Sequence, residues 1–163
     1  MRILHVAHGW PPSGSGGTEL YAAAVADAQA RAGAAVAHWT PEGLPRRPRP
    51  FRATFDLPEA ERHFAAALST HRADIVHIHH LSGASLGLPA VARAAGARVV
   101  LTLHDFWLGC ARGQLVDLDD RRCDGPAPAR CAACLAPALF RTGQARIMAR
   151  RVARAAALAE APT

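Results

Sequence analysis

The first twenty residues constrain this chain more than any others. Ile3, Leu4, Val6 and Ala7 form an apolar run of the length and density of a buried strand. A loop with two prolines and four glycines follows, Gly9-Trp-Pro-Pro-Ser-Gly-Ser-Gly-Gly17, and Thr18 then opens a run rich in helix formers. A strand feeding a glycine-rich loop that opens a helix is half of a βαβ unit, the building block of a parallel sheet. The unpaired N–H groups and positive dipole end of such a helix attract phosphate. Gly16 and Gly17 carry no Cβ, so a ligand can approach the backbone closely. Thr18 is read as the N-cap. The glycines fall at 9, 14, 16 and 17, which is not the G-x-G-x-x-G dinucleotide fingerprint, and NAD binding is not inferred. A turn that holds no ligand is the competing reading of this loop.

Downstream, the same alternation repeats. A helix is predicted from about 18 to 32 with Gly33 as its stop, its apolar face carrying Leu20, Ala24 and Ala28. Strands are predicted near 2–7, 35–39, 74–79 and 98–103, with the first one central. A helix over 58–71 begins at a first-turn proline, and a further helix ends near Gly96. Residues 51–55 are read as a short strand and 136–161 as an Arg/Ala-rich helical stretch. The expected architecture is therefore α/β: a doubly wound, Rossmann-like parallel sheet with helices on both faces. Ligands on such sheets gather at the carboxyl ends of the strands, which is where His80 and His104, the latter followed by Asp105, fall. His77 is read as a hydrogen-bonded residue beneath a helix.

The pattern breaks after Leu103. Residues 106–135 form a loop of about thirty residues, long enough to suggest a functional or metal-bound insert in a domain spanning 1–135. It carries Cys110, Cys123, Cys131 and Cys134 in a C-x12-C-x7-C-x2-C spacing. Three states fit: a tetrahedral structural zinc site, which is favoured, free thiols, or a disulfide pair.

The chain has 163 residues, is 50% hydrophobic and carries a formal net charge of +6. That is enough for one real core. All of its basic residues are Arg, scattered along the chain and dense only at Arg46-Arg47-Pro48-Arg49. A nucleic-acid interface would cluster its charge on one face with aromatics nearby, so no nucleic-acid partner is expected. Residues 41–50 are read as an exposed basic loop suited to solvent or to an anionic lipid surface. No run reaches the roughly 18–20 apolar residues of a membrane span, and no signal peptide is read. The expected location is the cytoplasm, with peripheral contact at the inner membrane face as an option.

Three motifs in order carry a resemblance. The strand-Pro-Pro-x-x-x-Gly-Gly-x-Glu opening, Asp74-Ile-Val-His-Ile-His-His80 and Leu101-Thr-Leu-His-Asp-Phe-Trp107 resemble the amino-terminal domain of glycosyltransferase family 4. The resemblance implies one half of a GT-B fold and a retaining transfer of a sugar from a nucleotide-sugar donor. The acceptor would be a glycan, lipid or small molecule, in a setting such as cell-envelope polysaccharide assembly. It implies that this domain holds the acceptor and that no cofactor is required for transfer. It places Gly16 and Gly17 against the donor diphosphate, Glu19 as the residue that orients their loop, and His104 beside the donor sugar as a transition-state contact. His80 and Asp105 would belong to the same wall.

In this family a second domain grips the donor through a Glu-x7-Glu pair. The glutamates here stand at 19, 42, 59, 61 and 160, and no two are eight apart. The sequence is therefore expected to carry half an active site, with 136–163 leading toward a donor domain or a separate donor-binding chain. A non-enzymatic carbohydrate- or sugar-nucleotide-binding module, or one subunit of a split enzyme, is the alternative.

Overall fold

A computed structural model describes residues 1–44, 57–110, 112–127, 129–131 and 133–134 of the chain. They fall into two compact units, one over Met1–His104 and one from Asp105 onward. The predicted strand at 51–55, the helical stretch 136–161 and most of the 41–50 loop lie outside the described residues.

The first unit is a four-stranded sheet with three helices. Its elements run β1 (Arg2–Val6), α1 (Gly17–Arg31), β2 (Ala35–Trp39), α2 (Pro58–His71), β3 (Ile75–Ile78), α3 (Leu88–Ala94) and β4 (Arg98–Leu101). Every pairing is parallel and the strand order is β2-β1-β3-β4, so the first strand is internal as predicted. A short 3-10 turn at Pro41–Gly43 follows β2.

Alternation along the strands divides the sheet into two chemically different faces. One presents Leu4 and Val6 of β1 and Val76 and Ile78 of β3, all wholly buried. The register sets Val6 beside Trp39, which packs edge-on against Phe64 of α2 at 5.4 Å. Phe64, Leu68, Leu88 and Ala92 complete this core, so α2 and α3 cover the apolar face.

The opposite face is polar. The register aligns His38, His5 and His77 across β2, β1 and β3. There α1 lies over it, and Gln29 of that helix bonds His5. At the amino-terminal edge Arg2 and Asp74 form a 2.7 Å ion pair, and the Arg2 backbone N–H also donates to Asp74. These bonds hold the Asp74 carboxyl at about 2, below its ordinary 3.8.

Two local expectations are corrected. Thr18 is not the N-cap of α1. The helix begins at Gly17, Gly16 is the cap residue, and no side chain caps the first turn. The buried face of α1 is not Leu20, Ala24 and Ala28 either. It carries Glu19, Ala22 and Ala26, while Leu20 is exposed. Glu19 is buried by the opening loop and His8, and the sheet surface beneath α1 is lined with imidazoles, against which the small Ala22 and Ala26 fit. Gly33 does end the helix region as predicted, at φ 87°, and Gly96 does the same after α3 at φ 84°.

The described residues of the second unit are mostly turns, with helical residues at 129–131 and 133–134. Its described part contains an antiparallel bridge between Val116 and Arg122, closed by Asp117. Asp117 Oδ1 accepts the backbone N–H groups of Arg121 and Asp119, each at 2.9 Å, which lowers its carboxyl from the ordinary range.

Candidate functional site

The opening loop is pinned from several sides. Trp10 stacks flat on His38, with ring centroids 4.3 Å apart and 2° between planes. The Ser13 hydroxyl donates to the Trp10 carbonyl and to Glu42, both at 2.9 Å. Glu19, in the first turn of α1, is buried and bonded to His8 Nε2 at 2.6 Å. The loop wraps this carboxylate so closely that a Cβ on Gly16 would stand 2.6 Å from Glu19 Oε2, and one on Gly14 would stand 2.9 Å from its Cγ. Gly14 and Gly16 are thus required by the side chain they enclose. Gly17 differs, because nothing outside its own helix and chain neighbours comes within 4 Å of where its Cβ would be. The glycine pair named from the sequence therefore has two roles: Gly16 accommodates Glu19, and Gly17 leaves its backbone open to approach.

The carboxyl ends of β1, β3 and β4 bring further histidines beside this loop. His8 follows β1 and meets His80, which follows β3, edge to face at 4.8 Å. His80 Nδ1 accepts the Ser82 N–H at 3.0 Å, which fixes its ring. His8 Nδ1 is buried and has no hydrogen-bond partner among the described residues. His104, beyond β4, bonds His79 at 3.2 Å and meets the edge of the Tyr21 ring at 5.1 Å. Gly16, Gly17, Glu19, His80 and His104 thus all lie in the first unit, on the carboxyl side of its sheet. Asp105 belongs to the second unit, where its Oδ1 accepts the Trp107 N–H at 2.8 Å.

Sequence reasoning missed the polar layer beneath this edge. His5 and His79 are almost wholly buried, and His77 bonds the Thr102 hydroxyl at 2.7 Å. Burial first, and then repulsion from neighbouring imidazoles, pushes His77 down to about 4 and His79 to about 3, from an ordinary 6.5. His5 is lowered as well, chiefly by burial. The signal was present in the sequence: His77 and His79 alternate onto one side of the third predicted strand, and His5 holds the matching position of the first, where it is the register partner of His77. Ring nitrogens of these three lie within 4.8 Å of one another, a span that could hold a metal ion. His5 Nδ1 and His79 Nε2 already bond each other at 2.9 Å, however, and an ion would have to displace that bond.

In the second unit, Cys110, Cys123, Cys131 and Cys134 all line one pocket, together with Arg112, Asp117 and Arg130. All four are unpaired thiols. The Ala127 N–H donates to Cys131 Sγ at 3.4 Å, and Arg112 Nη1 lies 3.9 Å from Cys134 Sγ.

No helix among the described residues is long and apolar enough to cross a membrane. Comparison with curated proteins and with solved structures finds no match. The family model described as Glycosyltransferase Family 4 matches residues 15–138, a span that takes in Gly16 and Gly17, the three strands β2, β3 and β4, and the cysteine segment. On that match, carried by an all-parallel α/β sheet, the chain belongs to glycosyltransferase family 4.

Proposed function

We propose that the carboxyl edge of this sheet is one wall of a retaining glycosyltransferase site, facing a nucleotide-sugar donor and a glycan, lipid or small-molecule acceptor. The observation that carries the reading is the convergence of an open, uncapped helix start at Gly17 with His8, His80 and His104 at the ends of three strands. The free N–H groups of the first turn of α1 suit a diphosphate. Glu19 is enclosed by its own loop and bonded to His8, so it holds the loop in shape rather than reacting. His104 contacts the donor sugar as charge develops on it, and His80 lies on the acceptor side of the same wall. Donor capture needs a carboxylate pair that residues 1–163 do not contain, supplied by a further domain or a second chain.

Gly17→Val tests the placement of the diphosphate. When the chain is joined to a family donor domain, the added side chain should raise the donor KM about tenfold or more while leaving kcat within about twofold. An unchanged KM would place the donor elsewhere.

The cysteine pocket is proposed as a structural zinc site with no part in the transfer. Its donor set fits: four thiols share one pocket, and an N–H group and a guanidinium beside two of the sulfurs favour the thiolate that zinc requires. Protein purified under reducing conditions without chelator should contain about one equivalent of zinc, and Cys131→Ser should release it. Metal analysis that finds none would remove the site.

A further inference from the structure

A line of hydrogen bonds runs from the far end of α1 to the proposed sugar contact. Gln29 Oε1 lies 2.8 Å from His5 Nε2, His5 Nδ1 lies 2.9 Å from His79 Nε2, and His79 Nδ1 lies 3.2 Å from His104 Nε2. We propose that Gln29, His5 and His79 are positioning residues that fix the tautomer of His104, leaving its Nδ1 as a hydrogen-bond acceptor for a hydroxyl of the ligand. The proposal rests on the reading of His104 as a sugar contact, and it specifies the direction of that contact.

The direction follows from counting protons. An amide oxygen can only accept, so His5 Nε2 carries the hydrogen that bonds Gln29. His5 is buried and held neutral, so its Nδ1 is bare and must accept. His79 Nε2–H is then the donor to His5. His79 is also neutral at ordinary pH, so its own Nδ1 is bare and takes a hydrogen from His104 Nε2. In neutral His104 the remaining nitrogen, Nδ1, is left with its lone pair. Each ring nitrogen in the line has one role, and no member can change tautomer without breaking the bonds on both sides.

The surroundings hold the line in place. His79 is in ring contact with both His5 at 5.2 Å and His77 at 4.2 Å, and those two rings also touch at 5.1 Å, so the three pack as a triangle that restrains rotation of His79. Thr102 holds His77 from the other side, and the Tyr21 ring sets the plane of His104. An acceptor nitrogen selects a group that donates. A sugar hydroxyl qualifies, whereas a phosphate oxygen or a carbonyl does not.

The test reads the protons directly. Long-range ¹H–¹⁵N spectra of labelled chain at about pH 8 should show His5, His79 and His104 all in the Nε2–H form. ¹⁵N–¹⁵N couplings should cross the His79–His5 and His104–His79 bonds. An Nδ1–H form at His79 or His104 would overturn the proposal, because it means that the line is reversed or broken. Gln29→Lys supplies a donor in place of the acceptor and should invert the pattern, leaving Nδ1–H on His104, whereas Gln29→Glu should preserve Nε2–H. In the chain joined to a donor domain, Gln29→Lys should lower kcat about tenfold with KM little changed. Inverted tautomers with unchanged kcat would overturn the link to transfer and locate the fault in the role given to His104. Wild-type spectra without the Nε2–H pattern would locate it in the line itself.

Discussion

Acidification from pH 7 toward pH 4 should unfold the first unit, and its buried histidines should be the cause. His77 and His79 titrate near 4 and 3 in the folded protein against about 6.5 in an unfolded chain, because burial and neighbouring imidazoles disfavour their charged forms. Above pH 6.5 both states hold neutral rings, and the titration of these groups takes nothing from stability. As the pH falls below 6.5 the unfolded chain takes up protons that the folded chain refuses, so stability drops with each further step. The loss is complete only below the folded values. For His79 alone the loss by pH 4 is on the order of 3 kcal/mol. The two shifts do not simply add, since part of the His79 depression is repulsion from His77, and His5 and His104 repel both rings. The loss is a large fraction of the stability of many domains. Asp74 acts in the same direction at lower pH, because a carboxyl held at about 2 stabilises above 3.8 and loses its contribution as the pH falls toward 2. Urea unfolding followed by tryptophan fluorescence between pH 7.5 and 4 measures this. A midpoint that stays flat between pH 7 and 5 would mean that the rings are hydrated and not buried.

The second large effect concerns competence. Glycosyl transfer requires donor and acceptor to be held together in a closed, water-poor cleft, and holding them so contributes several powers of ten in rate. In the proposed reading, the sheet edge described above supplies one wall of such a cleft. The Glu-x7-Glu pair that grips the donor in this family does not occur in residues 1–163. Residues 1–163 assayed alone with nucleotide-sugar and acceptor should therefore show no transfer above background and at best weak donor binding. Joined to a family donor domain, the same residues should support measurable turnover. Robust transfer by the isolated chain would refute the half-site account.

Much of the architecture was legible because its signals are local. The apolar runs at 3–6 and 75–78, the turn glycines at 33 and 96 and the first-turn proline at 58 each act within a few residues, and their elements fall where the spacing places them. The buried side of α1 was not legible. Alanine is small and weakly apolar, so a helix with alanines on every side carries little directional information. Glu19 turns inward to His8 and the loop that encloses it, and the sheet face beneath α1 carries the imidazole row at His38, His5 and His77, which exists only once strand register is known. The same holds for the site. His80 and His104 could be placed from the rule that ligands gather at carboxyl ends, whereas the link from Gln29 through His5 and His79 to His104 spans four separate elements or their ends.

The most direct measurement of whether this edge is where transfer occurs is the turnover of the joined enzyme carrying His104→Ala. His104 is partly exposed beyond the end of β4, so its removal should shift stability by no more than about 1 kcal/mol. If it stabilises charge on the reacting sugar, kcat should fall about 100-fold or more. A variant that folds as well as the parent and turns over at the parental rate would contradict the account and place the reaction on another face of the sheet.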